Sequence, residues 1–266
     1  AYEYLIGDFA DSAGKKGGEF YTPRSVVRMM VRLIKPELHH HIYDPCCGSG
    51  GMLIAAKEYI EEQGQEGRKA NLYGQEANGT VWSIAKMNML LHGISTADLH
   101  NEDTLAKPQH VKDGELRRFD RILTNRPFSI NWGHTDKGAT EQSTWNPDFR
   151  AERFTYGEVP LGAKKADLMF LQHMIAVCAD GGLVATVLPH GVLFRGGEEK
   201  GIREGIINDD LLEAVIGIAP NLFYGTGIPA CILILRKQKH VGANVVSAKA
   251  AERQGKVLFI NADREF

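Results

Sequence analysis

Asp44-Pro45-Cys46-Cys47-Gly48-Ser49-Gly50-Gly51 is the stretch on which the fold turns. It follows a β-forming run, His41-Ile42-Tyr43-Asp44, and precedes an apolar helical segment, Met52 to Glu62. Strand, glycine-rich turn and helix in that order form one unit of an α/β sheet. The glycines let the backbone turn tightly and approach a ligand closely, and the helix start presents unpaired N–H groups. A bare Gly-x-Gly is equally often an ordinary tight turn; the acidic strand end favours a nucleotide or nucleoside ligand. Leu53 occupies the place of the third glycine in a dinucleotide fingerprint, and no phosphate-loop Gly-Lys-Ser/Thr is present. Asp44 would repel a pyrophosphate and suits a cation, such as the ammonium of an amino-acid moiety.

Upstream of this loop, residues 1–11 read as a short amphipathic helix and 11–18 as a polar, Gly-rich loop. Thr22 is placed to cap a second helix with Pro23 at its first position. Val26, Val27, Met30, Val31 and Ile34 give that helix its apolar face, and Pro36 ends it. Downstream, strands are expected at 71–75, 98–101, 119–124 and 182–188, a closing pair at 213–218 and 230–236, and a last strand at 256–261. Helices are expected at 80–92 and 167–178, and a loose polar loop at 238–255. Such alternation implies a mostly parallel sheet with helices on both faces. In these sheets ligands sit at the carboxyl ends of the strands. The polar stretch 129–163 is too long for an ordinary connection and reads as a functional loop or lid. Its aromatics, Trp132, Trp145, Phe149, Phe154 and Tyr156, either grip a substrate or pin the loop down.

Three further candidates follow predicted strands. Glu76 lies 26 residues beyond Gly50, roughly where an acidic side chain commonly takes ribose hydroxyls. Asp103 could accept a hydrogen bond from an adenine amino group, and taken alone is a helix cap. Asn125-Arg126-Pro127-Phe128 closes the 119–124 strand. There Pro fixes the turn, Asn offers both an acceptor and a donor, and the ring can stack on a base.

The chain has 266 residues, 43 % apolar and 24 % charged, enough for one large α/β domain. Its net charge of −2 lacks the basic excess of a free-standing DNA-binding protein. The four cysteines include no C-x-x-C pair, which argues against zinc or disulfides and for a reducing cytoplasm. Adjacent His39, His40 and His41 point different ways, so no metal is expected. No stretch is long enough to span a membrane. The chain opens without Met, in what reads as mid-helix, as a piece of a longer protein would.

Together these segments resemble the amino-group DNA methyltransferases, and more closely the modification (M) subunits of type I restriction-modification systems. Gly18-Glu19-Phe20-Tyr21-Thr22-Pro23-Arg24 matches that family's segment ahead of the glycine loop. The downstream blocks Gly191–Gly196 and Asn221–Pro229 match as well, in the gamma order of motifs. The resemblance implies a Rossmann-like S-adenosylmethionine-dependent methyltransferase fold, a mostly parallel seven-stranded sheet with an antiparallel last strand. It implies a covering segment at 1–24 and a catalytic domain at 25–266. It further implies that Glu19, Phe20, Tyr21, Thr22, Pro23 and Arg24 contact the methionine end of S-adenosylmethionine. Asp44, Pro45, Gly48, Ser49, Gly50 and Gly51 would form the main cofactor loop. Glu76 would hold the ribose and Asp103 the adenine, with Asn125, Arg126, Pro127 and Phe128 as the catalytic turn. Expected partners are double-stranded DNA, a DNA-specificity (S) subunit and a restriction (R) subunit.

One departure stands out. The family has Pro where this chain has Arg126, which is expected to bring a long cation near a sulfonium; Arg126→Pro should then raise turnover. Cytosine N4, an RNA base or a protein glutamine amide also presents a planar amino group to such a turn. A non-catalytic cofactor-binding scaffold is the reading from a different class. A nicotinamide dehydrogenase is disfavoured by Asp44 and the missing glycine.

Overall fold

The computed structural model describes residues 22–128, 130–133, 145–223, 227–238 and 252–263. The helix and loop expected at 1–18, and Glu19, Phe20 and Tyr21, lie outside the described residues, as does most of the loop expected at 238–255.

Helix α1 (Arg24–Ile34) precedes strand β1 (His41–Asp44), α2 (Gly51–Glu62), β2 (Asn71–Glu76), α3 (Gly79–Leu91) and β3 (Asp98–Asn101). A small hairpin, β4 (Val111–Lys112) and β5 (Glu115–Leu116), leads into β6 (Phe119–Asn125). Then come α4 (Arg150–Arg153), α5 (Asp167–Val177), β7 (Cys178–Pro189), α6 (Glu198–Asn208), β8 (Leu212–Ile218), β9 (Ala230–Arg236) and β10 (Leu258–Ala262). The main sheet runs β10-β8-β9-β7-β6-β1-β2-β3. Its strands are parallel except β9, which is antiparallel to both β7 and β8. Seven strands thus form the expected sheet, with β9 as its antiparallel member. An eighth, β10, adds in parallel beside β8 at the edge. Among the described residues no helix intervenes between β8 and β9, and a parallel return would need a crossover.

Strand alternation divides the interior into two cores. In β7, Leu183, Ala185 and Val187 face one, while Val184 and Leu188 face the other. Helices α1, α2 and α3 cover the first face, and α5 with α6 covers the second. Helices thus cover both faces, as expected of a parallel sheet, except at the edge strand β10, where Leu258, Phe259 and Ile260 are exposed. Described residues of the 129–163 stretch, Trp132, Phe154 and Val159 among them, join the second core. Trp132 is fully buried, edge-on to Trp145 and Phe154, and its indole N–H donates to Glu158 at 3.2 Å. Of the two readings for these aromatics, Trp132 and Phe154 take the pinning one.

Two local readings are corrected. Pro23, not Thr22, is the residue before α1, and no side chain caps this end. Thr22 turns its hydroxyl to Asn125 instead, as described below. Helix α6, absent from the sequence reading, buries Ile202 and Ile206 one turn apart. Among the described residues no helix is long and apolar enough to cross a membrane.

Candidate active site at the switch point of the sheet

Strand β1 is the switch point: the chain builds β2 and β3 on one side of it, then crosses to β6 and β7 on the other. A crevice opens there at the carboxyl ends of the strands. Asp44, Glu76, Asn101 and Asn125 are the last residues of β1, β2, β3 and β6. Register places Asp44 opposite Gly74 and Glu76 opposite Asn101.

The glycine turn is held by carboxylates and amides. Asp44 is buried, and its Oδ1 accepts from Cys46 N at 3.0 Å and from the Thr124 hydroxyl at 2.6 Å. Burial dominates over those bonds and pushes its carboxyl up to about 7, with Glu76 adding repulsion. Glu76 Oε2 accepts from Gly48 N at 3.1 Å, and its Oε1 from Asn78 N at 2.8 Å. From α3, Asn88 donates to the Ser49 carbonyl at 2.9 Å. Thr104 donates to the Pro45 carbonyl at 2.5 Å. Gly50 sits at φ +85°, a conformation that strains any L side chain, while a Cβ would meet only the movable tip of Met89, so it is the backbone that demands glycine.

Two cavities meet at this turn. The larger, about 250 Å³, is lined by Thr22, Arg24, Asp44, Cys46 through Ser49, Gly51 and Asn125, with Asn88 and His92 from α3 and its end. A second, about 100 Å³, is lined by Pro45, Cys46, Glu76, Asp103, Leu105, Pro127, Trp145 and Phe170. Cys46 borders both. The sequence-derived residues therefore fall into two groups. Asp44, the glycine loop, Thr22, Arg24 and Asn125 share one hollow; Glu76, Asp103 and Pro127 share its neighbour. Asp103 also caps its own turn, accepting from Leu105 N at 2.8 Å. Phe128 lines neither hollow; its ring lies edge-on to Phe223 at 5.9 Å.

At the asparagine turn, Asn125 Nδ2 donates to Thr22 Oγ1 at 2.9 Å. Its Oδ1 is buried without a hydrogen-bond partner among the described residues. An unfilled buried acceptor is costly and marks a group waiting for a donor. Arg126 corrects the expectation placed on it. Its side chain is fully buried and turned away from both cavities, pairing Nη2 with Asp167 Oδ1 at 2.8 Å. Nη1 donates to the Pro127 carbonyl at 2.8 Å. Asp167 Oδ2 in turn meets Arg195 at 2.7 Å, and Arg195 meets Glu199 at 2.9 Å. The cation is neutralised behind the turn, so it brings no positive charge to the hollow.

S-adenosylmethionine fits these residues on three counts. The buried Asp44 carboxyl has no cationic partner among the described residues, and burial disfavours its charge. Gly48 and Gly51 face open space where a Cβ would stand. Asn125 Oδ1 is orphaned beside them. Sequence reasoning missed Thr104, Asn88 and Asp167, which hold the turns from 37 or more residues away and carry no local signature.

Topology and site define the class I S-adenosylmethionine-dependent methyltransferase fold. A protein so described from Listeria monocytogenes superposes with a TM-score of 0.65 at 18 % identity, over 92 % of this chain and 67 % of that one. The family model for N-6 DNA methylase matches residues 1–266, and the chain belongs to that family. It is 33 % identical over 264 residues to the type I restriction enzyme HindI methylase subunit of Haemophilus influenzae, covering 98 % of this chain and 53 % of that protein. It is 36 % identical to the MjaVII methylase subunit of Methanocaldococcus jannaschii, covering 100 % and 42 %. The crystal structure of a type I restriction-modification methyltransferase subunit from Streptococcus thermophilus matches with a TM-score of 0.77 and 35 % identity, over 100 % of this chain and 51 % of that one. The chain spans about half the length of these relatives.

Proposed function

We propose that this chain transfers a methyl group from S-adenosylmethionine to N6 of an adenine in DNA, as the modification subunit of a type I restriction-modification system. The observation that carries the reading is the unpartnered, buried Asn125 Oδ1 beside the hollow that holds Asp44 and the glycine loop. When bound, S-adenosylmethionine supplies an electrophilic methyl on sulfur. Asp44 holds the ammonium of its amino-acid end, with Thr22 and Arg24 at the same hollow. Glu76 takes the ribose hydroxyls through lone pairs left over from its bonds to Gly48 and Asn78. Asp103 accepts from the adenine ring of the cofactor, and Pro127 closes that hollow.

The target amino group is a poor nucleophile because its lone pair is delocalised into the base. Asn125 Oδ1 accepts one amino hydrogen, and the Arg126 backbone carbonyl accepts the other. That makes the nitrogen more tetrahedral and stabilises the positive charge developing on it. The base must leave the duplex to reach this turn, and Phe128 offers a ring to stack on. With a net charge of −2, the chain gains DNA attraction from partner subunits, the specificity (S) and restriction (R) subunits of such a system. All four cysteines are free, in keeping with the cytoplasm as working compartment.

Asn125→Ala should abolish methyl transfer, a loss of about 10³-fold or more, while S-adenosylmethionine still binds in a calorimetric titration. Methylation retained by that variant, assembled with its specificity subunit, would refute the mechanism.

A further inference from the structure

At the sheet edge away from β6, the chain places an aspartate and two histidines in one cluster. Asp98 and His100 lie two residues apart on β3 and so share a face. His110 is brought beside them by the 102–110 loop. Buried Gln75 fixes that loop from below: its Nε2 donates to the Glu102 and Lys107 carbonyls at 3.0 and 2.8 Å, and its Oε1 accepts from Gln109 N at 2.9 Å. The position of His110 is thus set by the fold.

We infer that Asp98, His100 and His110 form a binding site for a divalent transition-metal ion of the zinc type. His100 Nε2 lies 3.0 Å from Asp98 Oδ1, and His110 Nδ1 lies 3.5 Å from Asp98 Oδ2. The donor atoms of all three fall within 4.8 Å of one another. Tetrahedral zinc with bonds of about 2.0–2.1 Å needs donors about 3.3 Å apart, so small side-chain adjustments close the set. Two imidazoles and one carboxylate suit zinc and leave a fourth position for water, whereas magnesium and calcium favour all-oxygen sets.

The orientation of His110 is the decisive detail. Its Nε2 lies 3.2 Å from the Gly74 carbonyl. A carbonyl can only accept, so Nε2 carries the hydrogen, and the neutral ring presents its Nδ1 lone pair to Asp98, leaving two acceptors facing each other where a cation would sit. A backbone carbonyl on the far nitrogen is also the usual way a metal-binding imidazole is oriented. Arg117, whose guanidinium lies 4.3 Å over the Tyr73 ring, is the neighbouring charge that a bound cation must tolerate.

Such an ion would join the two ends of the loop that carries Asp103, Thr104 and Leu105 to the smaller cavity. It would clip that loop without entering the reaction. The inference does not depend on the proposed activity, and neither does its test. Protein stripped with a chelator is titrated with Co²⁺, following the visible d–d absorption of a four-coordinate ion. One equivalent is expected to produce the band, Zn²⁺ to displace it, and the same titration to raise the melting temperature. Asp98→Asn and His110→Gln should each lose the band, while His39→Ala keeps it. Asp98 is half exposed, so its variant folds and decides the matter if His110→Gln does not. No band in the parent, or a band surviving in Asp98→Asn, means an adventitious ion only and overturns the site.

Discussion

The two turns that meet at the switch point are held by opposite means. The glycine turn, Asp44 to Gly51, rests on backbone freedom and on amides that donate to carboxylates, Cys46 N to Asp44 and Gly48 N to Glu76. The asparagine turn, Asn125 to Phe128, rests on a buried ion pair that reaches across to the start of α5. A bond from Thr124, the residue ahead of the asparagine turn, to Asp44 links them. The loop that faces the hollow is thus bent by glycine and tied through its own amides, whereas the turn that carries Asn125 stands on a charged mount. Where the family places a ring-locked Pro, this chain uses charge.

The strongest way to break that contrast is to remove the charge. Arg126→Met leaves Asp167 buried with Arg195 alone. Breaking a buried pair by deleting one partner costs about 3–5 kcal/mol, and the remaining Arg195 contact puts the loss near the lower end. Denaturant unfolding measures it, and a cycle with Asp167→Asn isolates the pair from packing. Arg126→Pro carries the same folding loss, which works against the faster turnover that the sequence suggests for it. If either variant matches the parent in stability, the ion pair does not hold the turn.

This pair also marks where sequence reading stops. The glycine turn was legible because its determinants, an acid ending a strand and glycines opening a helix, are neighbours in the chain. The positions of Glu76 and Asp103 after predicted strands were legible in the alternating α/β pattern, as was the parallel sheet, whereas the roles assigned to them came from the resemblance. Arg126 was misread because its partner lies 41 residues on, beyond a long polar stretch, and nothing local says which way a buried guanidinium turns. Thr22 was assigned to the helix for the same reason. Its hydroxyl serves Asn125, 103 residues away, and a cap is the stronger local pattern. Helix α6 went unread because its apolar face is narrow, with Ile202 and Ile206 among charged residues.

A smaller effect is expected at the bond between the turns. Thr124→Val keeps the shape and removes the donor to Asp44. A hydrogen bond to a charged group contributes about 1.5–3 kcal/mol, so the ionised form of Asp44 becomes harder still to reach. Cofactor affinity at neutral pH should fall by about tenfold, corresponding to about 1.4 kcal/mol, and the melting temperature by a few degrees. An unchanged dissociation constant in a fluorescence titration would mean that the two turns act independently.

The mildest test uses pH alone. Burial raises the Asp44 carboxyl to about 7, above its unfolded value, so its contribution to stability is fully present below about pH 4 and fades as pH rises through about 7. Pairing with an ammonium requires the ionised form, and the sign for binding is therefore the reverse: affinity should climb with pH and level off above about 7. At pH 6 only about one molecule in ten is ionised, which predicts roughly tenfold weaker binding than at the plateau. Calorimetry at pH 6 in two buffers of different ionisation enthalpy should then find close to one proton released per S-adenosylmethionine bound. The plateau ends where the ligand's own amine, near the usual α-amino range of about 7.7–8.0, loses its charge. Thr124→Val should move the rising limb to higher pH, and Asp44→Asn should erase it. Were the same limb to persist in Asp44→Asn, the titrating group would lie elsewhere, and the cation-holding role of the strand end would pass to another residue.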